Sequence, residues 1–290
     1  MSTTTVKHLT TKVHDLNIFY RESGPKDAPT ILLLHGFPTS SHMYRNLIPI
    51  LNKHYHVIAP DLIGFGFSDA PGHDQFQYTF DNLTYYVQGL IDQLGLKKFA
   101  VQVFDYGAPV GYRLAVANPE KITAIISQNG NAYEEGLSDN WDPIRKYWKE
   151  PTEENRNALK TMTTAELTQW QYFTGVSDRS LIAPESYSLD QFLLDRPGNL
   201  ELQLDLMKDY ANNVAMYPRF HQYFKKYQPP FLAVWGDKDP FFLPPGAEAF
   251  KKDLPKATVK FFDTGHFALE THAPEIGEEI LHFLGSIHSL

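Results

Sequence analysis

The stretch Phe99-Ala-Val-Gln-Val-Phe104, followed by Asp105-Tyr-Gly-Ala108, decides the fold of this chain. The apolar run predicts a buried strand over 99–104, and residues 106–117 predict a helix. A strand that turns sharply into a helix exposes the side chain between them, and Gly107 and Ala108 are small enough for such a turn. The N–H groups at the start of the helix favour an anion at this point. An Asp here often serves only as an N-cap, but a carboxylate can also attack an electrophilic carbon and form an ester, so Asp105 is a candidate nucleophile.

Five further apolar runs flank this stretch and end at turn signals. They predict strands over 30–35, 55–59, 122–127, 230–235 and 257–262. Helical spacing or composition predicts helices near 41–52, 81–96, 245–252 and 274–284. Strands that alternate with helices are typical of a mostly parallel central sheet flanked by helices, which is an α/β fold.

The pattern changes between about residues 130 and 227, where charges, Tyr and Trp are frequent and β-branched runs are few. We interpret this segment as a helical insertion that covers the carboxyl edge of the sheet, where open α/β sheets bind ligands. The sequence therefore predicts a core domain of residues 1–130 and 228–290, with a cap subdomain of residues 131–227.

Two more polar residues follow predicted strands and complete a catalytic order. Asp239 follows the strand over 230–235, and His266 follows the strand over 257–262. Asp237 competes with Asp239 for the role of the acid. The order nucleophile, acid, histidine is the order that α/β-hydrolases use.

The motifs together resemble the epoxide hydrolase and haloalkane dehalogenase branch of the α/β-hydrolase superfamily, whose nucleophile is Asp. The resemblance rests on His35-Gly-Phe-Pro38, on Val103-Phe-Asp-Tyr-Gly107 and on the late Asp and His, and it spans nearly the whole chain outside the cap. It implies that the N–H groups of Phe37 and Tyr106 form an oxyanion hole. It also implies that His266 activates water and that Asp239 orients His266. Val103 departs from the family pattern, which has a small residue two positions before the nucleophile.

The resemblance also implies how an epoxide ring oxygen would be protonated, since epoxide hydrolases use two cap tyrosines. The segment Met216-Tyr-Pro-Arg-Phe220 resembles the segment that carries the second tyrosine and makes Tyr217 a candidate. The first cap helix of the family resembles residues 144–151, where Ile144 stands at the tyrosine position and Tyr147 follows one turn later. Packing within the cap is an equal alternative for Tyr147.

Hydrolysis of an apolar or aromatic epoxide is the first interpretation of the sequence, and dehalogenation of a haloalkane or haloacid is the second. Haloalkane dehalogenases typically hold the halide with a Trp after the nucleophile and an Asn in the His-Gly loop, whereas Tyr106 and Phe37 stand here. Trp141, Trp148 and Tyr217 are candidates for a different halide site in the cap. His35 and Pro38 are candidates for the substrate pocket, although His35 also suits a structural role in the oxyanion loop. A third interpretation is a ligand receptor on this fold without turnover.

The composition restricts the partners and the cellular setting. The formal net charge of −8 argues against nucleic acid or an anionic membrane as the main partner. The chain contains no cysteine, which excludes disulfides, zinc–thiolate sites and a cysteine nucleophile. The polar residues 1–11 contain no apolar signal segment, and no apolar run approaches the ~18 residues of a membrane span. We therefore expect a cytoplasmic enzyme without metal or cofactor that acts on a small apolar or aromatic substrate with water. The sequence does not indicate its oligomeric state.

Overall fold

The computed structural model describes residues 4–288, and an eight-stranded sheet runs through this range. The strands are β1 Lys7–Val13, β2 Leu16–Ser23, β3 Thr30–Leu34, β4 His56–Pro60, β5 Phe99–Phe104, β6 Ile122–Gln128, β7 Phe231–Gly236 and β8 Thr258–Phe262. Their order in the sheet is β1-β2-β4-β3-β5-β6-β7-β8. The pairs from β4 to β8 are parallel, whereas β2 is antiparallel to both β1 and β4. All six strands expected from the apolar runs are present, and the mostly parallel sheet is confirmed.

Ten α-helices within residues 4–288 surround this sheet. They are α1 Ile48–Leu51, α2 Phe80–Gln93, α3 Gly107–Ala117, α4 Asp142–Lys149, α5 Glu153–Ala158, α6 Ala165–Phe173, α7 Pro184–Leu194, α8 Asn199–Tyr227, α9 Pro244–Ala249 and α10 Ala268–His288. The side chains of β3 alternate between two apolar cores, so Leu32 and Leu34 face the core that includes α2, while Ile31 and Leu33 face the core that includes α10. None of the helices in this range is both long enough and apolar enough to cross a membrane.

The N-terminal hairpin of β1 and β2 is absent from the expectations drawn from the sequence. Residues 1–3 of the polar N-terminal segment lie outside the described residues, and β1 begins at Lys7. Most of β1 is exposed or half-buried, and its turn uses His14 at a φ of 54°. An edge strand of this kind lacks the continuous apolar run by which the buried parallel strands are recognised.

Two helices differ from their expected form. The helix expected over 41–52 is instead a 3₁₀ turn, Ser41–Tyr44, followed by the short α1. The last helical stretch, Ala268–His288, begins earlier than expected, but the non-helical backbone of His272 divides it into two helices. The second helix therefore begins close to Pro274, as expected, because proline is tolerated in the first turn, where its missing N–H has no helical partner.

The long segment between β6 and β7 is helical and contains α4 to α8. It joins the rest of the chain through polar contacts, because the Phe80 N–H donates to Asp209 at 2.8 Å and Arg113 donates to Asn213 at 2.7 Å. The segment lies over the carboxyl edge of the parallel strands, since α8 lines the same cavity as the residues that follow β5 and β8. The division into separate core and cap domains at residues 131 and 227 stays a prediction.

Val103 fits at the position where the family has a small residue because its neighbours are glycines. A Cβ at Gly111 would overlap Cγ1 of Val103, and a Cβ at Gly130 would lie 3.0 Å from Cγ2. The side chain of Val103 therefore occupies the space that side chains at position 111 of α3 and position 130 of the loop after β6 would otherwise fill. This exchange keeps β5 and α3 close together and leaves the turn at Asp105 tight.

We expect Gly111→Ala to lower the free energy of unfolding by about 1–3 kcal/mol, as overpacking of a core does. This loss opposes the gain of about 1 kcal/mol that alanine normally brings inside a helix. Urea unfolding of the single variants and of Val103→Ala/Gly111→Ala measures the coupling. The double variant should be more stable than the sum of the two single changes predicts, and strict additivity would contradict the proposed exchange of volume.

Candidate active site

The turn between β5 and α3 holds Asp105 in a left-handed backbone conformation. Its φ is 46°, which is rare for a residue other than glycine. A Cβ at Gly107 would overlap the carbonyl oxygen of Leu34, so the chain can turn this closely past β3 only with glycine at that position. The strained turn presents the Asp105 side chain, which is 6% exposed, to a cavity above the sheet.

The two oxygens of the Asp105 carboxylate have different surroundings. Oδ1 accepts a hydrogen bond from the Phe37 N–H at 2.6 Å, and the Tyr106 N–H also donates to the carboxylate. A Cβ at Gly36 would overlap Oδ1, so this approach of the loop after β3 requires glycine. The structure thus brings together the candidate nucleophile, Asp105, and both predicted oxyanion donors.

His266 lies between two carboxylates. Its Nδ1 is 2.7 Å from Oδ2 of Asp239, and its Nε2 is 3.9 Å from Oδ2 of Asp105. Because Nδ1 lies within hydrogen-bond distance of a carboxylate, we assign the ring proton to Nδ1, which leaves Nε2 free to accept a proton from water. The structure therefore joins Asp105, His266 and Asp239 in one chain of contacts. Asp237, the competing acid, is exposed and is not part of it.

Asp239 is fixed by donors that the sequence did not reveal. Its Oδ1 accepts the N–H groups of Phe241 and Phe242 at 2.7 and 3.1 Å, and its Oδ2 accepts the amide of Asn129 at 2.7 Å. Asn129 follows β6 directly, so a polar residue at a strand end was the available signal. These bonds keep Asp239 oriented towards His266.

Burial changes the protonation of both reacting groups. Burial raises the pKa of Asp105 from 3.8 to about 6, although His266 and the N–H groups of Phe37 and Tyr106 oppose this rise. Burial also acts to lower the pKa of His266, but the charge and hydrogen bond of Asp239 overcome it, so the pKa of His266 lies above its usual value. At neutral pH the Asp105 carboxylate is mostly ionised, as a nucleophile requires.

The cavity at Asp105 is small and largely apolar. Its volume is about 30 Å³, room for one or two water molecules. Its wall consists of Phe37, Asp105, Tyr106, Trp141, Ile144, Met162, Gln171, Met207, Phe241 and His266. Of the predicted substrate-binding residues, Trp141 is in this wall. Met162, Gln171, Met207 and Phe241 were not expected from the sequence. The first three belong to the segment between β6 and β7, whose helices carry no motif from which their inner faces could be read, and Phe241 lies in the loop after β7.

The structure does not bring the two candidate acids, Tyr147 and Tyr217, into the cavity wall. The hydroxyl of Tyr147 accepts a hydrogen bond from Arg156 at 3.2 Å. The hydroxyl of Tyr217 accepts one from Asn131 at 3.1 Å and one from Tyr210. Both phenols therefore have partners among the helices, and Ile144, at the position of the first family tyrosine, is the residue that reaches the wall.

Three other expected pocket residues also lie outside the wall. The indole N–H of Trp148 donates to the carbonyl of Met207 at 2.7 Å. His35 is buried, and its Nε2 accepts the Leu62 N–H at 2.9 Å while Nδ1 contacts the carbonyl of Gly36 at 3.0 Å. His35 thus holds the oxyanion loop, which is the structural alternative considered above. Pro38 belongs to the same loop and is not in the wall.

Within residues 4–288, no cluster of three or more His, Asp or Glu side chains has the arrangement of a metal site.

Comparison with known proteins identifies the class. The family described as the alpha/beta hydrolase fold matches residues 29–273. An uncharacterized hydrolase of Saccharomyces cerevisiae, YNR064C, is 45% identical over 270 residues, which are 92% of this chain and 92% of that protein. A haloalkane dehalogenase of Psychrobacter cryohalolentis is 30% identical over 284 residues, covering 93% of this chain and 88% of that protein. The chain therefore belongs to the α/β-hydrolase superfamily.

Solved structures agree with this fold. A loop variant of the haloalkane dehalogenase DbeA from Bradyrhizobium elkanii superposes with a TM-score of 0.80 at 23% identity, covering 98% of both chains. The predicted α/β-hydrolase fold and the predicted relation to the dehalogenase-like branch are confirmed. The chain is thus a hydrolase of the α/β-hydrolase type.

The raised pKa of Asp105 makes a prediction about stability. A carboxyl whose pKa rises from 3.8 to about 6 on folding favours the folded state at low pH, and this contribution is lost as the pH rises through about 6. We expect Asp105→Asn to raise the free energy of unfolding at pH 7.5 by up to about 3 kcal/mol. The gain should shrink towards pH 4, as urea unfolding across this range would measure.

Asp239→Asn is the matched control, because Asp239 is equally buried but accepts hydrogen bonds from several donors. It should lower stability at pH 7.5. An Asp105→Asn protein that is less stable than the wild type at pH 7.5 would contradict the assigned effect of burial on Asp105.

Proposed function

We propose that this chain opens small apolar or aromatic epoxides through a covalent ester on Asp105. The observation that carries the proposal is the asymmetry of the carboxylate. Oδ1 accepts the Phe37 N–H at 2.6 Å, and Oδ2 lies 3.9 Å from Nε2 of His266. An oxygen fixed by backbone donors is suited to become the carbonyl oxygen of an ester, and the other oxygen is suited to attack carbon.

The reaction would proceed in two halves. First, Oδ2 of Asp105 attacks a ring carbon, and the bond from that carbon to the ring oxygen breaks. The electron pair stays on the ring oxygen, which takes up a proton from water. Then His266 takes a proton from the hydrolytic water, whose oxygen attacks Cγ of the ester. The Phe37 and Tyr106 N–H groups stabilise the negative Oδ1, and Asp239 stabilises the charge on His266. The bond from Cγ to the substrate oxygen then breaks, and His266 gives its proton to that oxygen. The acid proton of the regenerated Asp105 carboxyl neutralises the hydroxide left by the first half, so the diol leaves, the carboxylate is restored and one water is added overall.

The polar groups near the cavity support an epoxide in preference to a halide. The indole N–H of Trp141 donates to the carbonyl of Phe241 at 3.2 Å, and that of Trp148 is also bonded to a carbonyl, so neither is free to hold a halide. Tyr106 lines the wall beside Asp105, and burial raises the pKa of its phenol well above the usual 10, so the phenol stays neutral at neutral pH. The contacts of Tyr147 and Tyr217 give no support to the acid role that the resemblance suggested for them.

Haloalkane dehalogenation is the second candidate, and the similarity to proteins named haloalkane dehalogenases favours it. Both reactions share the ester on Asp105 and differ in the leaving atom. A receptor without turnover is the third candidate, and the contacts that align Asp105, His266 and Asp239 argue against it.

The first prediction on activity concerns the ester intermediate on Asp105. His266→Gln should allow the first half of the reaction and block the second, so that intact-protein mass spectrometry with styrene oxide detects an adduct on Asp105. Asp105→Ala should give no adduct and should lose more than the ~10²–10⁴-fold typical of one acid–base group. Substantial turnover by a folded Asp105→Ala protein would reject the mechanism.

The leaving atom makes the second prediction on activity. The wild-type protein, tested with aryl epoxides and with bromoalkanes of similar size, should form diol faster than it releases bromide. Diol and bromide are measured separately in the same buffer. Bromide release without diol formation would replace the proposed function with the second candidate, and ligand binding with neither product would favour the receptor.

A further inference from the structure

The side-chain nitrogen of Gln171 is a polar group in the cavity wall that lacks a hydrogen-bond partner in the described part of the chain. Gln171 is 2% exposed and lines the same cavity as Asp105 and His266. Its Nε2 is buried and has no hydrogen-bond partner among residues 4–288. An unsatisfied amide N–H in an apolar interior destabilises the fold, and such groups in folded proteins often mark a function or an absent ligand.

Burial without a partner does not by itself distinguish Gln171. Gln203, on α8, is 0% exposed, and neither its Nε2 nor its Oε1 has a partner in the described part of the chain. Gln203 is absent from the wall of the cavity at Asp105. A bound molecule in the cavity can supply a hydrogen-bond partner to Gln171 but not to Gln203, which does not line the cavity. Gln203 is therefore a matched control residue.

Contacts at the next residue fix Gln171 relative to the catalytic histidine. The ring of Tyr172 stacks on Phe267, with centroids 3.9 Å apart and an interplanar angle of 1°. The Tyr172 hydroxyl donates to Asp190 at 2.6 Å. Phe267 directly follows His266, so α6 is held against the loop that carries the general base. The Gln171 amide is therefore preorganised before substrate enters.

The geometry of displacement at carbon also places the leaving atom on the side of the cavity where Gln171 lies. The leaving atom departs opposite to the attacking oxygen, and Asp105 attacks from the sheet. The leaving atom then points to the wall formed by the segment between β6 and β7, whose members are Trp141, Ile144, Met162, Gln171 and Met207. Three of these have apolar side chains and Trp141 donates its N–H to a carbonyl, which leaves the Gln171 amide.

We infer that Gln171 binds the leaving atom, donating its side-chain N–H to the ring oxygen of the epoxide while the bond from carbon to that oxygen breaks. The amide keeps its proton. The ring oxygen takes its proton from water, and the hydroxide left behind is neutralised by the carboxyl proton of Asp105 once the ester has been hydrolysed. The inference rests on the proposed function, because it requires attack by Asp105, and it assigns the subsite that receives the negative charge.

The test isolates the first half of the reaction in the His266→Gln protein, where the ester accumulates. Gln171→Met keeps the length of the side chain and removes the N–H, and Gln203→Met is the matched control. Rapid quenching and intact-protein mass spectrometry measure the rate of adduct formation from styrene oxide. We expect Gln171→Met to slow adduct formation about 10²-fold, the effect of losing one donor to a developing oxyanion. Gln203→Met should leave the rate unchanged.

The outcomes separate the two proposals. No adduct even with Gln171 intact would reject the proposed function. An adduct that forms at the same rate with Gln171→Met, or that slows equally with Gln203→Met, would overturn the inference and leave the proposed function standing. A second arm uses 1-bromohexane: an adduct that depends on Gln171 only in that arm would overturn the assignment to an epoxide oxygen and favour a halide as the leaving atom. Circular dichroism of each variant verifies that it is folded.

Discussion

The buried negative charge of Asp105 is the feature on which the rest of the site depends. A carboxylate that is 6% exposed can stay ionised near neutral pH only when donors and a positive partner surround it. Two loops supply them, because the loop at Phe37 follows β3 and the loop at His266 follows β8. The close approach of these loops explains the glycines at 36 and 107, where a side chain would overlap the carboxylate or the strand beside it. The left-handed backbone of Asp105 is the consequence, because only a strained turn directs its carboxylate towards both loops.

The charges of the site alternate along a line that begins at Asp105 and passes through His266 to Asp239. The distances are 3.9 Å on the side of Asp105 and 2.7 Å on the side of Asp239, so the histidine is held by one carboxylate and only approached by the other. Asp239 cannot serve as a second nucleophile, because Asn129, Phe241 and Phe242 donate to its oxygens.

The sequence was sufficient to predict which polar residues lie together at the edge of the sheet. Asp105, Asp239 and His266 follow buried apolar strands, and parallel strands carry such residues to one edge whatever their distance along the chain. No comparable rule predicts the position of residues in the helical segment between β6 and β7. The motif around Tyr217 suggested an acid, but the orientation of a residue on the 29-residue α8 depends on packing that no short motif records. Gln171 gave no signal for the same reason. The N-terminal hairpin was missed because its exposed edge strand lacks an apolar run.

In the proposed mechanism, this division between the sheet and the segment between β6 and β7 would also divide the chemistry. The ester, its oxyanion donors and His266 lie on loops that follow strands, so the proposed second half would not depend on the leaving atom. The proposed first half would, because the leaving atom would face the segment between β6 and β7. Contacts between the sheet and the segment between β6 and β7 therefore determine how the site is assembled. Arg45 forms an ion pair with Glu270 at 2.6 Å and donates a hydrogen bond to Ser186 on α7 at 2.7 Å. These contacts join α7 to α10, and Tyr172 joins α6 to the loop of His266 through its stack on Phe267. A change of substrate class would then require new polar groups on α4, α6 or α8, while the residues that follow β3, β5, β7 and β8 could stay as they are.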